Sequence, residues 1–496
     1  MQKKLMTVAV AGALGTLSTG ALAQASSVQI YGTISTALEY AQAKGADQSL
    51  VGTSSWRNPT ATVALGNVGI GGVYTATPVQ RDGRMRVISS GSNFGIRGRE
   101  DLGSGLYAGF QAEAAITLGG NSAQSSGTGG TVTTWRNTGV WVGGNAWGEV
   151  GWGMWDTPFN INMGLAPAHA AYANASTTMV AGLLGTVPTG GGTISGYTVD
   201  AQCNPNFAAV AAVPATVSVN NLTFGNTAAT CFNWGTSFHR RVSNSFWYQS
   251  PSWAGFRLRA HYGAEGNQTT ASSGAGASGT GGRLNPQLFG ASASYTLGGF
   301  YGGVGYENHQ DYLAAAARTY GGMTLGGVGL APSLTLATIP SGAAGVSSSS
   351  DNGWNANLRY TFAFGLTLGA YAEWLKWKID YNAGAPGSAL TEFDKKGYRF
   401  DVAYQIGPHT IGAQYGWATE MKCSVILGTC DGSNTDASTW ILGYAYSLSK
   451  RTSLTAYATW VNNKTNAAYN GIVFYGIGPS AGADPRYFGL GLRHTF

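Results

Sequence analysis

Charge is what this chain has least of. Only 10% of its 496 residues are Asp, Glu, Lys or Arg, against about a quarter in an ordinary soluble domain. Long apolar runs are also missing: nothing after the N-terminal segment offers the ~20 consecutive apolar residues of a spanning helix, and mean hydropathy is −0.04. A helical membrane bundle is thereby excluded. Basic blocks are absent too. The net charge is +6, dispersed along the chain, which argues against nucleic acid as a partner. The six histidines, His169, His239, His261, His309, His409 and His494, are scattered and none belongs to a nucleophile motif. A hydrolase needs a nucleophile, a histidine and an orienting group within reach, so a barrel hydrolase is the weakest of the functional alternatives; His261 is the one histidine worth testing. No cofactor and no metal are expected.

What is abundant is glycine, 76 residues, and aromatic side chains at 12%. A large β-barrel with a wet interior accommodates both, because every second strand residue can be Gly, Ser, Thr or Asn. The segment Tyr487–Phe496 carries the pattern most cleanly. Phe488, Leu490, Leu492, His494 and Phe496 fall on one side; Tyr487, Gly489, Gly491, Arg493 and Thr495 fall on the other. Such a strand would be a sticky edge in a soluble sandwich. It suits a closed barrel whose apolar face meets lipid.

Residues 1–23 read as a signal peptide, with Lys3 and Lys4, an apolar run over Leu5–Leu17, and the small-x-small site Ala21-Leu22-Ala23. Residues 24–496 then form the barrel. Val28–Tyr40 alternates, with Val28, Ile30, Ile34 and Leu38 to one side. Asn93–Asp101 turns at Gly103-Ser104-Gly105 into Leu106–Ile116, with Arg97, Arg99, Tyr107, Gln111 and Glu113 inward. Seven short turns and eight long connections, two of the latter at about 264–287 and 311–352, imply sixteen antiparallel strands. Trp374, Trp377, Trp417, Trp460 and Tyr40 cluster toward loop ends, where an aromatic girdle belongs.

Four cysteines in an exported chain imply two disulfides. Cys423 and Cys430 close a tight loop, and Cys203 would pair with Cys231; metal ligation is the alternative and lacks nearby His or acidic partners.

Several blocks carry a family resemblance: SSVQIYG near the start, SNFGIRGREDLGSGLYAGFQAE (Ser92–Glu113), TPF (Thr157–Phe159), NSFWYQSPSWAGF (Asn244–Phe256), YSLSKRT (Tyr446–Thr452) and GLRHTF (Gly491–Phe496). Together they resemble the general diffusion porins of Gram-negative bacteria, most closely Burkholderia-like β-proteobacterial porins. The resemblance implies a sixteen-stranded outer-membrane barrel surrounded by lipid. It further implies a homotrimer, a third loop folded inward to narrow the lumen, Phe496 needed for insertion, and passive diffusion of small hydrophilic solutes and ions. The constriction loop would hold Asn160, Asn162, His169 and Asp200. Departures concern charge. Thr138 and Trp247 stand where the family pattern has arginine, with Arg136 two residues before Thr138 on the same face; Met154 and Trp155 replace another arginine; and 157–238 holds Asp200 as its single charge.

By alternation nine arginines face inward: Arg97, Arg99, Arg136, Arg241, Arg257, Arg259, Arg359, Arg399 and Arg493. Six acids join them: Glu39, Glu113, Glu149, Glu307, Glu373 and Asp401. Arginine rings in a wet pore attract anions, whereas paired charges only stiffen the wall. The imbalance and the uncharged third loop predict a weak anion preference. A channel specific for a neutral or aromatic solute is the other reading, with Tyr172, Tyr197, Phe207 and Trp234 of the third loop as its aromatic residues.

Overall fold

The structure, a computed structural model, describes residues 27–45, 81–89, 91–116, 132–164, 166, 171, 183–185, 238, 240–264, 284–314, 323–324, 338–339, 346–381, 390–428, 430, 432–465, 467, 469 and 482–496. Residues 1–23, read from the sequence as a signal peptide, and His169, Tyr172, Tyr197, Asp200, Cys203, Phe207, Cys231 and Trp234 lie outside them.

Sixteen antiparallel staves form one closed sheet. In chain order they are β1 (Ser27–Lys44), β2 (Arg81–Ser89 continuing as Asn93–Gly103), β3 (Leu106–Ile116), β4 (Val132–Trp135 continuing as Thr138–Gly144) and β5 (Gly148–Asp156). After the short helix α1 (Pro158–Met163) come β6 (Arg241–Gln249), β7 (Phe256–Ala264), β8 (Gln287–Leu297), β9 (Phe300–Gln310), β10 (Val346–Thr361) and β11 (Leu366–Tyr381). The last five are β12 (Leu390–Ile406), β13 (His409–Ala418), β14 (Ala437–Ser447), β15 (Thr452–Asn463) and β16 (Asp484–Thr495). Each stave pairs with its sequence neighbours, and β16 returns to β1 from Thr33↔Thr495 to Lys44↔Asp484. Closure leaves no sheet edge, the condition for strands to cross a bilayer.

Alternation sets the two faces. Phe94, Ile96, Val140, Trp152, Phe246, Leu258, Val304, Trp354, Leu358 and Leu490 are exposed on the outer face. Their alternate neighbours point into the lumen. Inward glycines take the flat face of an aromatic ring from the adjacent stave. A Cβ on Gly95 would fall 2.4 Å from Tyr31, one on Gly109 2.4 Å from Trp141, and one on Gly489 2.2 Å from Tyr457. This pairing accounts for glycine and aromatic residues being plentiful together. At the first short turn, Gly103 and Gly105 adopt φ of 83° and 77°, values that glycine tolerates without strain.

Several staves run longer than the sequence pattern indicates. Arg81–Ser89 is strand rather than loop, pairing with β1 through Glu39↔Arg86; Asp82-Gly83 and the break near Gly91 disguise it as turn. β10 starts at Val346, so the connection read as 311–352 is shorter. β11 and β12 extend upward with Lys376, Lys378, Glu392, Asp394 and Lys396 on their outer faces, charges that break the apolar pattern past the lipid. Trp377 does not belong to the outer girdle. It follows Tyr371, Glu373 and Leu375 on the inner face, is fully buried, and stacks on Phe393 at 4.9 Å.

Arg136 and Thr138 are not placed by simple alternation either. Residues 136 and 137 interrupt β4 between its two segments, so Arg136 reaches Glu113 inside the lumen while Thr138 begins the row that continues with outward Val140 and Val142.

Candidate functional site: the lumen and its third-loop constriction

The connection from β5 to β6 starts at Thr157, whose hydroxyl accepts the Asn160 backbone N–H at 3.2 Å and caps α1, with Pro158 in the first turn. The helix is not on the outside. Asn162 Nδ2 donates to Asn355 Oδ1 at 2.7 Å, Asn355 Nδ2 to the Phe159 carbonyl at 3.0 Å, and Asn357 Nδ2 to the Asn162 carbonyl at 2.8 Å. Asn355 and Asn357 alternate with lipid-facing Trp354 and Leu358, so they belong to the inner wall of β10, five staves around from β5. The third connection therefore crosses the lumen.

It is then tied farther along. Arg399 donates to the Met163 carbonyl at 2.7 Å, the Gly185 N–H to the Glu373 carboxylate at 2.8 Å, and Lys395 to the Leu183 carbonyl. The return leg passes Phe238, whose N–H donates to the Gly185 carbonyl at 2.7 Å and whose ring lies 4.4 Å from that of His309 and 5.5 Å from that of Phe159. His309 in turn bonds Glu307 at 2.6 Å. Asn160 and Asn162 thus sit in the crossing segment but are turned to its anchors and buried. Asn160 Nδ2 donates to Asp156 at 2.9 Å.

The charged groups of the lumen divide into two sets. Four arginines are consumed by carboxylates: Arg86 by Glu39 (2.8 Å), Arg136 by Glu113, Arg241 by Asp156 (3.0 Å) and Arg399 by Asp401 (2.7 Å). Tyr457 and Tyr31 add phenol donors to Glu39 and Glu113 at 2.6 and 2.9 Å. The second set makes no ion pair among the described residues. Arg97 bonds Gln29 at 2.8 Å and lies 4.8 Å from the Tyr31 ring; Arg99 lies 3.8 Å over Tyr107; Arg259 bonds Gln249 at 2.7 Å; Arg359 lies 5.3 Å from Tyr301. Arg257 and Arg493 complete the set. All six lie in the half of the barrel nearer the short turns; Arg84, in the opposite half, also makes no ion pair among the described residues. Cation–π contact leaves a guanidinium its full charge. The acids among them without an ion pair are Glu149, held by Tyr107 and Gln249 at 3.1 and 3.2 Å, and Asp101, which caps the turn by accepting the Gly103 N–H at 2.9 Å. Glu307, Asp351 and Glu373 are buried.

All nine arginines and six acids read as inward stand on the inner face. Alternation missed Arg84, Arg86, Lys395 and Asp156. Asp156 shares parity with outward Trp152, but a register shift between Gly153 and Trp155 turns it into the lumen. The disulfide Cys423–Cys430 is present, with Cα atoms 5.6 Å apart, in the loop between β13 and β14.

A closed barrel with an apolar outer band and a wet, charged, partly crossed lumen defines a transmembrane diffusion channel. Residues 7–466 match the Gram-negative porin family; the chain belongs to that family, is a channel of the outer membrane and is not an enzyme. No curated protein matches it. Solved structures share the fold. The anion-selective porin from Comamonas acidovorans has 18% identity, covers 95% of this chain and 100% of its own, and superposes with a TM-score of 0.53. The outer-membrane-expressed OmpT of Vibrio cholerae has 12% identity, covers 95% and 98%, and gives 0.52. The trimer form of in-vitro folded OmpT, also from Vibrio cholerae, has 12% identity, covers 95% and 100%, and gives 0.51.

Proposed function

We propose that the channel passes small hydrophilic solutes and ions with a weak preference for anions, and that it works as a homotrimer. One observation carries the selectivity: Arg97, Arg99, Arg257, Arg259, Arg359 and Arg493 have no ion-pair partner among the described residues, whereas the lumen's acids, Glu149 and the turn residue Asp101 apart, are matched or lie beneath the third loop. A low-dielectric wall focuses that excess on the water column and raises the local anion concentration. The preference is weak because Arg136 and Arg241 are neutralised by Glu113 and Asp156. In the same way Trp155 and Trp247 occupy positions where arginine would have strengthened the field. An anion-selective relative with the same fold agrees with this sign, and a related barrel described in trimer form agrees with the assembly.

In this reading Asn160, Asn162, His169 and Asp200 belong to the segment that sets the aperture, residues 1–23 direct export, and a second disulfide joins Cys203 to Cys231. The test of selectivity is the zero-current potential of the wild-type channel in a planar bilayer under a potassium chloride gradient. It should lie on the anion side at low salt. It should shrink as the Debye length falls from ~10 Å at 0.1 M to ~3 Å at 1 M. A cation-side potential at low salt overturns it.

A further inference from the structure

Three tryptophans on adjacent staves meet on the inner wall beside the root of the third loop. Trp247 of β6 lies on Gly151 of β5, where a Cβ would come within 2.2 Å of the indole. Trp155 stacks on Trp247 with centroids 5.0 Å apart and planes inclined by 29°. Trp141 meets Trp155 nearly edge-on, at 5.9 Å and 69°. With Trp247 held between the glycine and Trp155, and Trp155 itself only half-buried, the layering leaves an indole surface toward the water column. General diffusion of ions has no use for such a surface.

Polar groups border it. Trp247 and His261 are register partners on β6 and β7, at 6% and 2% exposure. The Trp247 Nε1–H and His261 Nε2 have no hydrogen-bond partner among the described residues, nor does Oδ1 of Asn160, itself 5% exposed. Buried polar atoms left without partners are costly. Beside them the Asp156 carboxylate and the Arg241 guanidinium form a hydrogen-bonded network with Asn137, whose Oδ1 accepts from Arg241 Nε at 2.6 Å.

We propose that this tryptophan wall is a weak binding site for a neutral sugar ring in transit. A pyranose offers C–H faces to an indole and a rim of hydroxyls, each able to donate and accept, to the partly exposed Asp156 carboxylate and Asn137 amide, which buried Arg241 holds in place. An aromatic solute would use the indoles but not the polar border. The proposal rests on the diffusion-channel reading and adds a solute class to it.

The test is ion current through the wild-type protein in a planar bilayer, titrated with maltose, with a poly(ethylene glycol) of similar size as a non-stacking comparator and phenol as an aromatic one. Maltose should block saturably, with excess current noise, where the comparator only lowers conductance linearly. Trp155→Ala should raise the half-blocking maltose concentration at least about tenfold, and Trp155→Phe should restore most of the block. Maltose that behaves like the polymer, block unchanged in Trp155→Ala, or block by phenol but not maltose would each overturn the sugar site. A wild-type protein that inserts but passes no current would instead overturn the diffusion reading beneath it.

Discussion

Gly32 and Phe496 close the barrel by a reciprocal pair of backbone hydrogen bonds, Gly32 N–H to the Phe496 carbonyl at 3.2 Å and Phe496 N–H to the Gly32 carbonyl at 3.1 Å. The phenyl ring lies against the bare α-carbon of the glycine. A Cβ on Gly32 would stand 2.5 Å from Phe496 Cζ and 2.7 Å from the Asn93 carbonyl oxygen. The ring can swing away, but the carbonyl belongs to the backbone of β2 and cannot. Gly32→Val should therefore weaken the seam where β1 passes from β16 to β2, by about 1–3 kcal/mol as for other overpacked sites. Loss of the compact band in unheated gel samples, or a lowered melting temperature, would show it. Unaltered heat resistance would mean the seam tolerates the branch.

The anchoring of the third loop gives a second expectation. Glu373 takes the Gly185 N–H at 2.8 Å and Arg399 holds the Met163 carbonyl at 2.7 Å, both buried. Charge-assisted buried bonds are worth about 1.5–3 kcal/mol each. The double variant Glu373→Ala, Arg399→Ala should loosen the crossing segment, giving larger mean conductance and more flicker with the barrel still folded. Single-channel traces identical to wild type would show that the aromatic contacts of Phe159, Phe238 and Trp377 suffice alone.

The disulfide Cys423–Cys430 closes an eight-residue loop outside the membrane. Chain-closure entropy assigns such a loop about 2–3 kcal/mol, all of it local. Reduction should expose the 419–436 connection to protease while leaving conductance unchanged. A conductance change on reduction would place this loop over the pore entrance. Mass mapping of non-reduced peptides should also find Cys203 joined to Cys231; a Cys231–Cys423 link would contradict the local pairing.

The barrel was legible in the sequence because lipid on one side and water on the other enforce a period of two, and Tyr487–Phe496 or Asn93–Asp101 displays it in a few residues. Apart from Arg136, the nine arginines and six acids named from it stand where strict alternation puts them. The rule failed where the backbone departs from strict alternation. Asp156 entered the lumen through a register shift, Arg136 through a two-residue interruption, and Arg84 and Arg86 through a strand segment hidden behind Asp82-Gly83. Partners across the barrel were not legible at all. That Glu373 would meet Gly185, or Asn162 meet Asn355, depends on a connection crossing the lumen, and spacing along the chain contains no trace of it. Pairing mattered most for function. In the sequence Arg241 is a pore-facing arginine whose pairing stays open; in the fold it is bound to Asp156.

That distinction selects the decisive measurement. Ion preference is assigned to arginines with no carboxylate partner among the described residues, so Arg97→Gln, Arg99→Gln and Arg259→Gln are combined in one channel and its zero-current potential is recorded in a potassium chloride gradient at low ionic strength, beside wild type. The wild-type potential should lie on the anion side and move toward cations in the triple variant, with the difference shrinking at 1 M salt as screening shortens to ~3 Å. A cation-selective wild type, or a triple variant with an unmoved potential, would contradict it.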